Sequence, residues 1–441
     1  MNFQRPIPSR FSSLSALQLF QMLRYGAFVL IGVCFAKLSL GQDDIGRFET
    51  FLLVSSMLSF FWVSGMINSM LSVYPKKNEE DKKAVLFNTF LSLSFLSVAA
   101  GVLLFTFSEN LLLFLDKDRS GGLIQLSVFF LLLNNPSFIS EYILFLNNKK
   151  KELVIYGMAF AILSFSAAVI PIYINYHVEY AMYGFIGVAA LRILFALFLV
   201  YKFGAFRFDW RLQLDQLKIS LPIIGSIFVS GSAEYIDGIL VKAKFNDTDF
   251  AIYRYGAKEL PILLIIANTF SSAMITAVSA NLDEGLKQIK KNSAHLMHLF
   301  FPLTIILMVT SPYIYPLVFN QSFASSAIIF NIYLLLIIPR VLFPQTILTG
   351  IHASRFLFIS SLIEITLNVS CSILLSMKFG LVGIAYGTVI SSLFDKFFLV
   401  AVCHFVFRIS IRRFLLYIPY LVYVSLTIVA FIISYKMMPA V

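Results

Sequence analysis

Among the ionisable side chains between Gly231 and Asn268, a stretch bounded on both sides by long apolar runs, five fall in segments that read as membrane helices: Glu234, Asp237, Arg254, Lys258 and Glu259. An ionisable group inside a bilayer-spanning helix costs roughly 3 kcal/mol unless it faces protein or water. Their concentration argues for a polar, water-filled transport cavity. Other apolar segments carry polar residues at helical spacing, which places them on one face: Gln18, Gln21, Arg24 and Tyr25; Asn134, Ser137 and Glu141; Ser361, Glu364 and Asn368; Ser391, Ser392, Asp395 and Lys396. Arg254, Lys258, Pro261 and Asn268 are expected to form one such stripe along a single helix. The cations Arg24, Arg254 and Lys258 need anionic counterparts. Glu141, Glu234, Asp237 and Glu259 could serve as fixed partners, or a phosphate-bearing substrate could serve transiently. Arginine suits phosphate because its planar fork donates two parallel hydrogen bonds and keeps its charge. The alternative for every one of these residues is a helix–helix contact that holds a bundle together, and for Arg192 and the Asp395–Lys396 pair that is the preferred reading.

These residues must be positioned by membrane helices. The chain has 441 residues, 59% apolar and 13% charged, a composition far from that of a soluble domain. The net charge of +11 does not point to nucleic acid, because the Lys and Arg residues lie in short clusters between apolar segments, as topology requires. Cys34, Cys371 and Cys403 have no paired or metal-like spacing, so neither a disulfide nor a metal site is expected. No Gly-rich phosphate loop, nucleophile elbow or HExxH motif occurs; no catalytic residue and no cofactor is inferred.

At about 20 apolar residues per crossing, spans fall near 12–38, 46–73, 84–107, 122–146, 152–175 and 180–202. After a polar linker they resume near 218–242, 250–280, 293–316, 324–349, 355–377 and 381–407, with a thirteenth near 414–435. The polar, basic N-terminus leads into an apolar stretch too long for a cleavable signal, expected to remain as the first span. The expected organisation is an N-terminal lobe (1–202), a cytoplasmic linker (203–217), a C-terminal lobe (218–407) and an extra span (408–441). Basic residues concentrate in the N-terminus and alternate loops, which puts the N-terminus in the cytoplasm and, with thirteen spans, the C-terminus outside. The halves resemble each other: Tyr183-Gly184-Phe185-Ile186-Gly187 reads like Phe379-Gly380-Leu381-Val382-Gly383, and Pro136 and Pro339 fall at a similar offset. Such repeats are the sequence trace of many transporters. The expected fold is therefore all-α and polytopic, two pseudo-symmetric six-helix lobes around a central cavity. Prolines 222, 261, 302, 339 and 344 are expected to bend these helices.

Leu221-Pro222, Asp237-Gly238-Ile239-Leu240-Val241, the run Phe250 to Lys258, Ile45-Gly46-Arg47-Phe48 and the segment Gly65 to Pro75 resemble the Wzx-type oligosaccharide flippases within the multidrug/oligosaccharidyl-lipid/polysaccharide exporter superfamily. The resemblance implies movement of a polyprenyl-diphosphate-linked glycan from the inner to the outer leaflet of the bacterial cytoplasmic membrane by alternating access. Carried onto this sequence, it makes Arg24 and Arg254 the leading contacts for diphosphate or acidic sugar, then Lys258, with Gln21 and Tyr25 on the Arg24 face. Glu234, Asp237 or Glu364 could bind a coupling proton or sodium ion. The implied partners are the bilayer, the lipid-linked glycan and, alongside, polymerases and glycosyltransferases of surface polysaccharide assembly such as O-antigen. A thirteenth span departs from the twelve or fourteen usual among relatives.

Two rivals remain. A multidrug exporter of the same superfamily would share the architecture, but Arg24 disfavours cationic cargo. A membrane glycosyltransferase or polymerase could use Asp43 and Asp44, here read as loop charge; the outer connection near 108–121 is too short for the domain such enzymes carry.

Overall fold

In the computed structural model, residues 13–38, 40–108, 122–174, 177–257 and 261–438 are described. They are helical, with no strand among them, as expected where no water is available to the backbone and each N–H must find its partner within its own segment. The helices, in order, are α1 (Ser13–Lys37), α2 (Gln42–Met57), α3 (Phe60–Val73), α4 (Glu79–Thr106), α5 (Leu123–Ser137), α6 (Ile139–Leu146), α7 (Lys150–Tyr173), α8 (Val178–Phe203) and α9 (Trp210–Lys244). They continue as α10 (Asp247–Gly256), α11 (Pro261–Ala280), α12 (Leu282–Val318), α13 (Ser326–Leu334), α14 (Ile337–Arg340), α15 (Pro344–Gly350), α16 (Ser354–Phe379), α17 (Leu381–Phe405), α18 (Ile411–Phe414) and α19 (Tyr417–Lys436).

Among the described residues, 10 spans are long and apolar enough to cross a membrane, or up to 12 if each of two bent pairs counts as one. The first bent pair, α2 with α3, turns by 49°. No proline lies at the break; Ser55 and Ser56 donate their hydroxyls back to the carbonyls of Phe51 and Leu52 at 2.6 and 2.7 Å, a back-bonding that bends helices. The second, from Ser326 to Gly350, turns by 42° between Pro339 and Pro344, where proline removes ladder bonds. The expected single span 250–280 is a correction: α10 ends at Gly256 and α11 begins at Pro261, so Arg254 and Asn268 do not share one continuous helix. The expected linker also shortens, because the chain is helical from Trp210. Asp209 starts that helix by accepting from the N–H groups of Arg211 (3.0 Å) and Leu212 (3.2 Å), the bonding of an N-cap.

The chain forms two compact units, Met1–Gly231 and Ser232–Val441. In the first, α1 packs along α7 at Gly157, where a Cβ would stand 2.9 Å from the Phe20 ring, and Phe48, Phe51, Phe130 and Phe185 meet in tilted and edge-to-face contacts that form an aromatic core. The linker side of α9 is tied down by amides: Gln213 donates to the Ser92 hydroxyl at 2.7 Å and Gln216 to that of Thr89 at 2.8 Å. In the second unit, α16 and α17 approach closely because of two glycines. A Cβ on Gly383 would lie 2.3 Å from the Leu375 carbonyl, and one on Gly387 2.2 Å from the Ser372 hydroxyl. The parallel drawn between the halves does not extend to individual glycines: Gly184 is tight against the Ala167 carbonyl, at 2.5 Å, whereas Gly187, the counterpart of Gly383, has nothing within 4 Å.

Candidate functional site

In the first unit, α1 carries Arg24 with Gln21 and Tyr25 exposed beside it. The span α5–α6 is interrupted near Pro136, and Glu141 follows in the first turn of α6. Glu141 is 2% exposed and lies between two guanidiniums, its Oε1 3.6 Å from Arg24 and its Oε2 3.7 Å from Arg192 of α8. Both separations are beyond hydrogen-bonding length. Arg192 is held by other groups: its Nε donates to the Tyr156 hydroxyl at 3.0 Å and one terminal nitrogen to Asn134 Oδ1 at 2.5 Å. Its guanidinium lies 4.6 Å from the Phe160 ring and 5.1 Å from that of Phe138; Arg24 lies 5.5 Å from the same Phe138 ring. These are cation–π distances, favourable where water is scarce. Arg192 is 5% exposed and Arg24 31%. The arrangement thus sets two cations against one carboxylate, with the accessible cation on the face of Gln21 and Tyr25.

In the second unit, α9 contributes Asp237, 3% exposed. Tyr333 donates to its Oδ2 at 2.7 Å, Thr388 to the same oxygen at 2.6 Å, and Asn368 to Oδ1 at 3.3 Å. The Tyr253 hydroxyl joins through Tyr333 at 2.9 Å. The donors in these bonds are neutral, and the Asn368 Oδ1 is buried without a hydrogen-bond partner. An acceptor left over beside a buried carboxylate supplies oxygens of the kind hard cations use. Arg254 is half-buried in the last turn of α10, where the helix dipole favours a cation. Glu364 of α16 is half-buried, one turn beyond Ser360, whose hydroxyl bonds Asp395; Asp395 pairs with Lys396 at 2.8 Å.

The sequence-predicted residues therefore separate. Arg24, Glu141, Gln21 and Tyr25 gather in the first unit, where Arg192 contacts Asn134 and Tyr156 and faces the same carboxylate as Arg24. Asp237 and Asn368 meet in the second. Lys258 and Glu259 lie outside the described residues, as do the side chain of Glu234 and the outer connection 109–121. Asp43 and Asp44 are not loop charge: they occupy the first turn of α2, with Asp44 3.7 Å from Arg47, which binds Glu179 at 2.6 Å. Tyr156, Tyr253, Tyr333 and Thr388 escaped sequence reading, because a single tyrosine or threonine in an apolar run is ordinary. Among the described residues no group of three or more His, Cys, Asp or Glu side chains is placed to hold a metal, and the three cysteines are free thiols.

Residues 35–328 match the family described as polysaccharide biosynthesis protein. No curated protein sequence matches the chain. Among solved structures, the lipid II flippase MurJ in an inward closed conformation is similar with a TM-score of 0.68 at 17% identity, covering 95% of this chain and 98% of that one. A multidrug resistance MATE transporter in an inward-facing conformation gives a TM-score of 0.59 at 12% identity, covering 96% and 99%. An outward-facing conformation of a multidrug resistance MATE transporter gives 0.53 at 12% identity, covering 87% and 92%. At these identities the likeness establishes the fold.

Proposed function

Since this chain belongs to the polysaccharide biosynthesis protein family, we propose that it is a flippase that carries a polyprenyl-diphosphate-linked oligosaccharide from the cytoplasmic to the outer leaflet of the bacterial inner membrane, for surface polysaccharide assembly. With α11 counted as a crossing beside the 12 spans, the number is odd, and the N-terminus lies in the cytoplasm and the C-terminus outside. The observation that carries this reading is the charge of the first unit: two guanidiniums face one carboxylate, and Arg24 remains accessible. A diphosphate needs such a cation, because charge crossing hydrocarbon unaided is prohibitive, while the lipid tail can stay in the bilayer. Arg24 binds the diphosphate or an acidic sugar, with Gln21 and Tyr25 beside it; Arg254 and Lys258 offer further cationic contacts. The same fold occurs in inward- and outward-facing forms among MATE transporters, which supports transport by alternating access.

A coupling proton or sodium ion binds at Asp237, supported by its burial, its neutral donors and the unpaired Asn368 Oδ1; Glu234, Glu259 and Glu364 are further acidic positions for it. Glu141 serves instead as a counter-ion to the arginines. The test of substrate class is transport by purified protein in proteoliposomes, offered a fluorescent polyprenyl-diphosphate sugar in one arm and an organic drug cation in the other. Movement of the lipid-linked sugar alone supports the proposal. Export of the drug cation without glycan movement would replace it with a multidrug exporter, and glycan polymerisation or transfer without translocation with an enzyme.

A further inference from the structure

Glu141 is in an unusual position for a buried carboxylate. Its Oε2 is fully buried with no hydrogen-bond partner, and so is the Arg192 terminal nitrogen that faces it from 3.7 Å. Buried polar atoms of opposite sign that stand close without bonding have a shorter contact available to them. Arg192 is anchored independently by Asn134, Tyr156 and the Phe160 ring, so its charge stays in place whatever Glu141 does. Arg24, by contrast, reaches accessible space and has Glu141 at 3.6 Å.

We infer that Glu141 and Arg192 form a counter-ion exchange that lets Arg24 bind and release an anionic phosphate group. This rests on the flippase reading and assigns Arg192 as its positioning residue. With the site empty, Glu141 is shared, and Arg24 is not left as an uncompensated charge within the membrane. When a phosphate oxygen reaches Arg24, Glu141 moves to Arg192 and makes the bond its Oε2 lacks. The repulsion between carboxylate and phosphate is thereby relieved. On release, Glu141 returns to the shared position and competes with the departing phosphate. Without Arg192, Glu141 would neutralise Arg24 and the site would lose its attraction for anions; without Glu141, two unopposed cations would hold the anion too tightly to release it.

The opposite signs of these two effects separate charge exchange from a structural role. Binding of geranylgeranyl diphosphate, a short-chain lipid probe of the diphosphate headgroup, would be measured on the full chain in nanodiscs, with its partitioning into empty nanodiscs subtracted. Each variant would first be matched to wild type in thermal stability. Changes of one unit charge at these separations lead us to expect Arg24→Gln and Arg192→Gln to weaken binding by about tenfold or more, and Glu141→Gln to strengthen it by about tenfold. The double variant Glu141→Gln/Arg192→Gln returns to within about threefold of wild type, because two cations against one anion and one cation alone carry the same net charge. Arg192→Lys, which keeps the charge, binds like wild type; its stable folding keeps the test decisive should Arg192→Gln fail to fold. Weakening by both Glu141→Gln and Arg192→Gln, with additive losses in the double variant, would overturn the exchange and leave a structural pair. Loss of binding in Arg24→Gln with no change in either partner variant would also overturn it, while leaving the anion site intact. Unchanged binding in Arg24→Gln would remove the anion site itself, and with it the reading on which the exchange rests.

Discussion

Replacing Asp237 by asparagine isolates the charge of the second unit's buried cluster. The carboxylate accepts two short hydrogen bonds, from Tyr333 at 2.7 Å and Thr388 at 2.6 Å, and a longer one from Asn368 at 3.3 Å. Bonds to a charged acceptor contribute about 1.5–3 kcal/mol each, so the two short ones supply about 3–6 kcal/mol. Burying a carboxylate costs several kcal/mol of its own. The two terms offset, and Asp237→Asn, which keeps the shape and one acceptor oxygen, is expected to alter stability by no more than about 1 kcal/mol in a buffer without sodium. Cation binding breaks this near balance: an ion at a hundred times its Kd stabilises the folded wild type by about 2.7 kcal/mol. For a unit of this size that is a Tm increase of about 5–10 °C. The assay is thermal unfolding in detergent, in sodium against choline at equal ionic strength, with a parallel series in pH for the proton alternative. Wild type gains stability with sodium or with protons, and Asp237→Asn gains neither. An equal gain in both proteins would refute Asp237 as the cation site; destabilisation of Asp237→Asn by several kcal/mol without added ion would refute the balance of terms.

Three further perturbations follow from the packing. Gly383→Ala, whose Cβ would collide with the Leu375 backbone, is expected to destabilise the second unit by about 1–3 kcal/mol, whereas Gly187→Ala, with open space around it, stabilises α8 by about 0.5–1 kcal/mol; thermal unfolding of both variants compares them. Gly157→Val pushes against Phe20, one turn before Arg24, and is expected to reduce transport more than folding, read as flipping rate per inserted molecule. The Asp209 carboxyl is held below its ordinary pKa by the N–H groups of Leu212 and Arg211 and by Arg207. A depressed folded value means that its stabilisation of the start of α9 is complete above the unfolded carboxylate pKa and is lost as pH falls through the folded one. Protection of the Arg211 and Leu212 amides from hydrogen exchange, taken relative to the intrinsic rate at each pH, should therefore fall in acid in wild type but not in Asp209→Asn.

Much of this architecture was legible from apolar run length, because a bilayer imposes one length on every crossing and forbids any backbone but a bonded one. The breaks were less legible. Proline marked the bend between Ser326 and Gly350, but the bend between α2 and α3 comes from serine hydroxyls, and serines of the same kind occur in straight helices. Gly184 and Gly187 looked like Gly380 and Gly383 because the letters repeat; contact depends on the facing helix, which the letters of one helix do not specify. At the site, Arg24, Glu141, Asp237 and Asn368 were visible because charge and amide are rare in membrane helices and must be compensated. The hydroxyls around them, Tyr156 on Arg192 and Tyr253, Tyr333 and Thr388 in the Asp237 cluster, were hidden, since amphipathic side chains are common in apolar segments and only distance distinguishes a hydrogen bond from a lipid contact. The position of Glu141 between two arginines from distant spans required the folded chain.

The most direct measurement of the central claim is the flipping of a fluorescent polyprenyl-diphosphate sugar in proteoliposomes, comparing wild type with Arg24→Gln at equal insertion and stability. The account predicts movement by wild type and a fall of about tenfold or more in Arg24→Gln, the effect of removing one charge-assisted phosphate contact. Equal flipping by the two proteins would contradict the claim that an accessible arginine in the first unit carries the diphosphate, and no flipping by either, with any lipid-linked glycan, would contradict the assigned function.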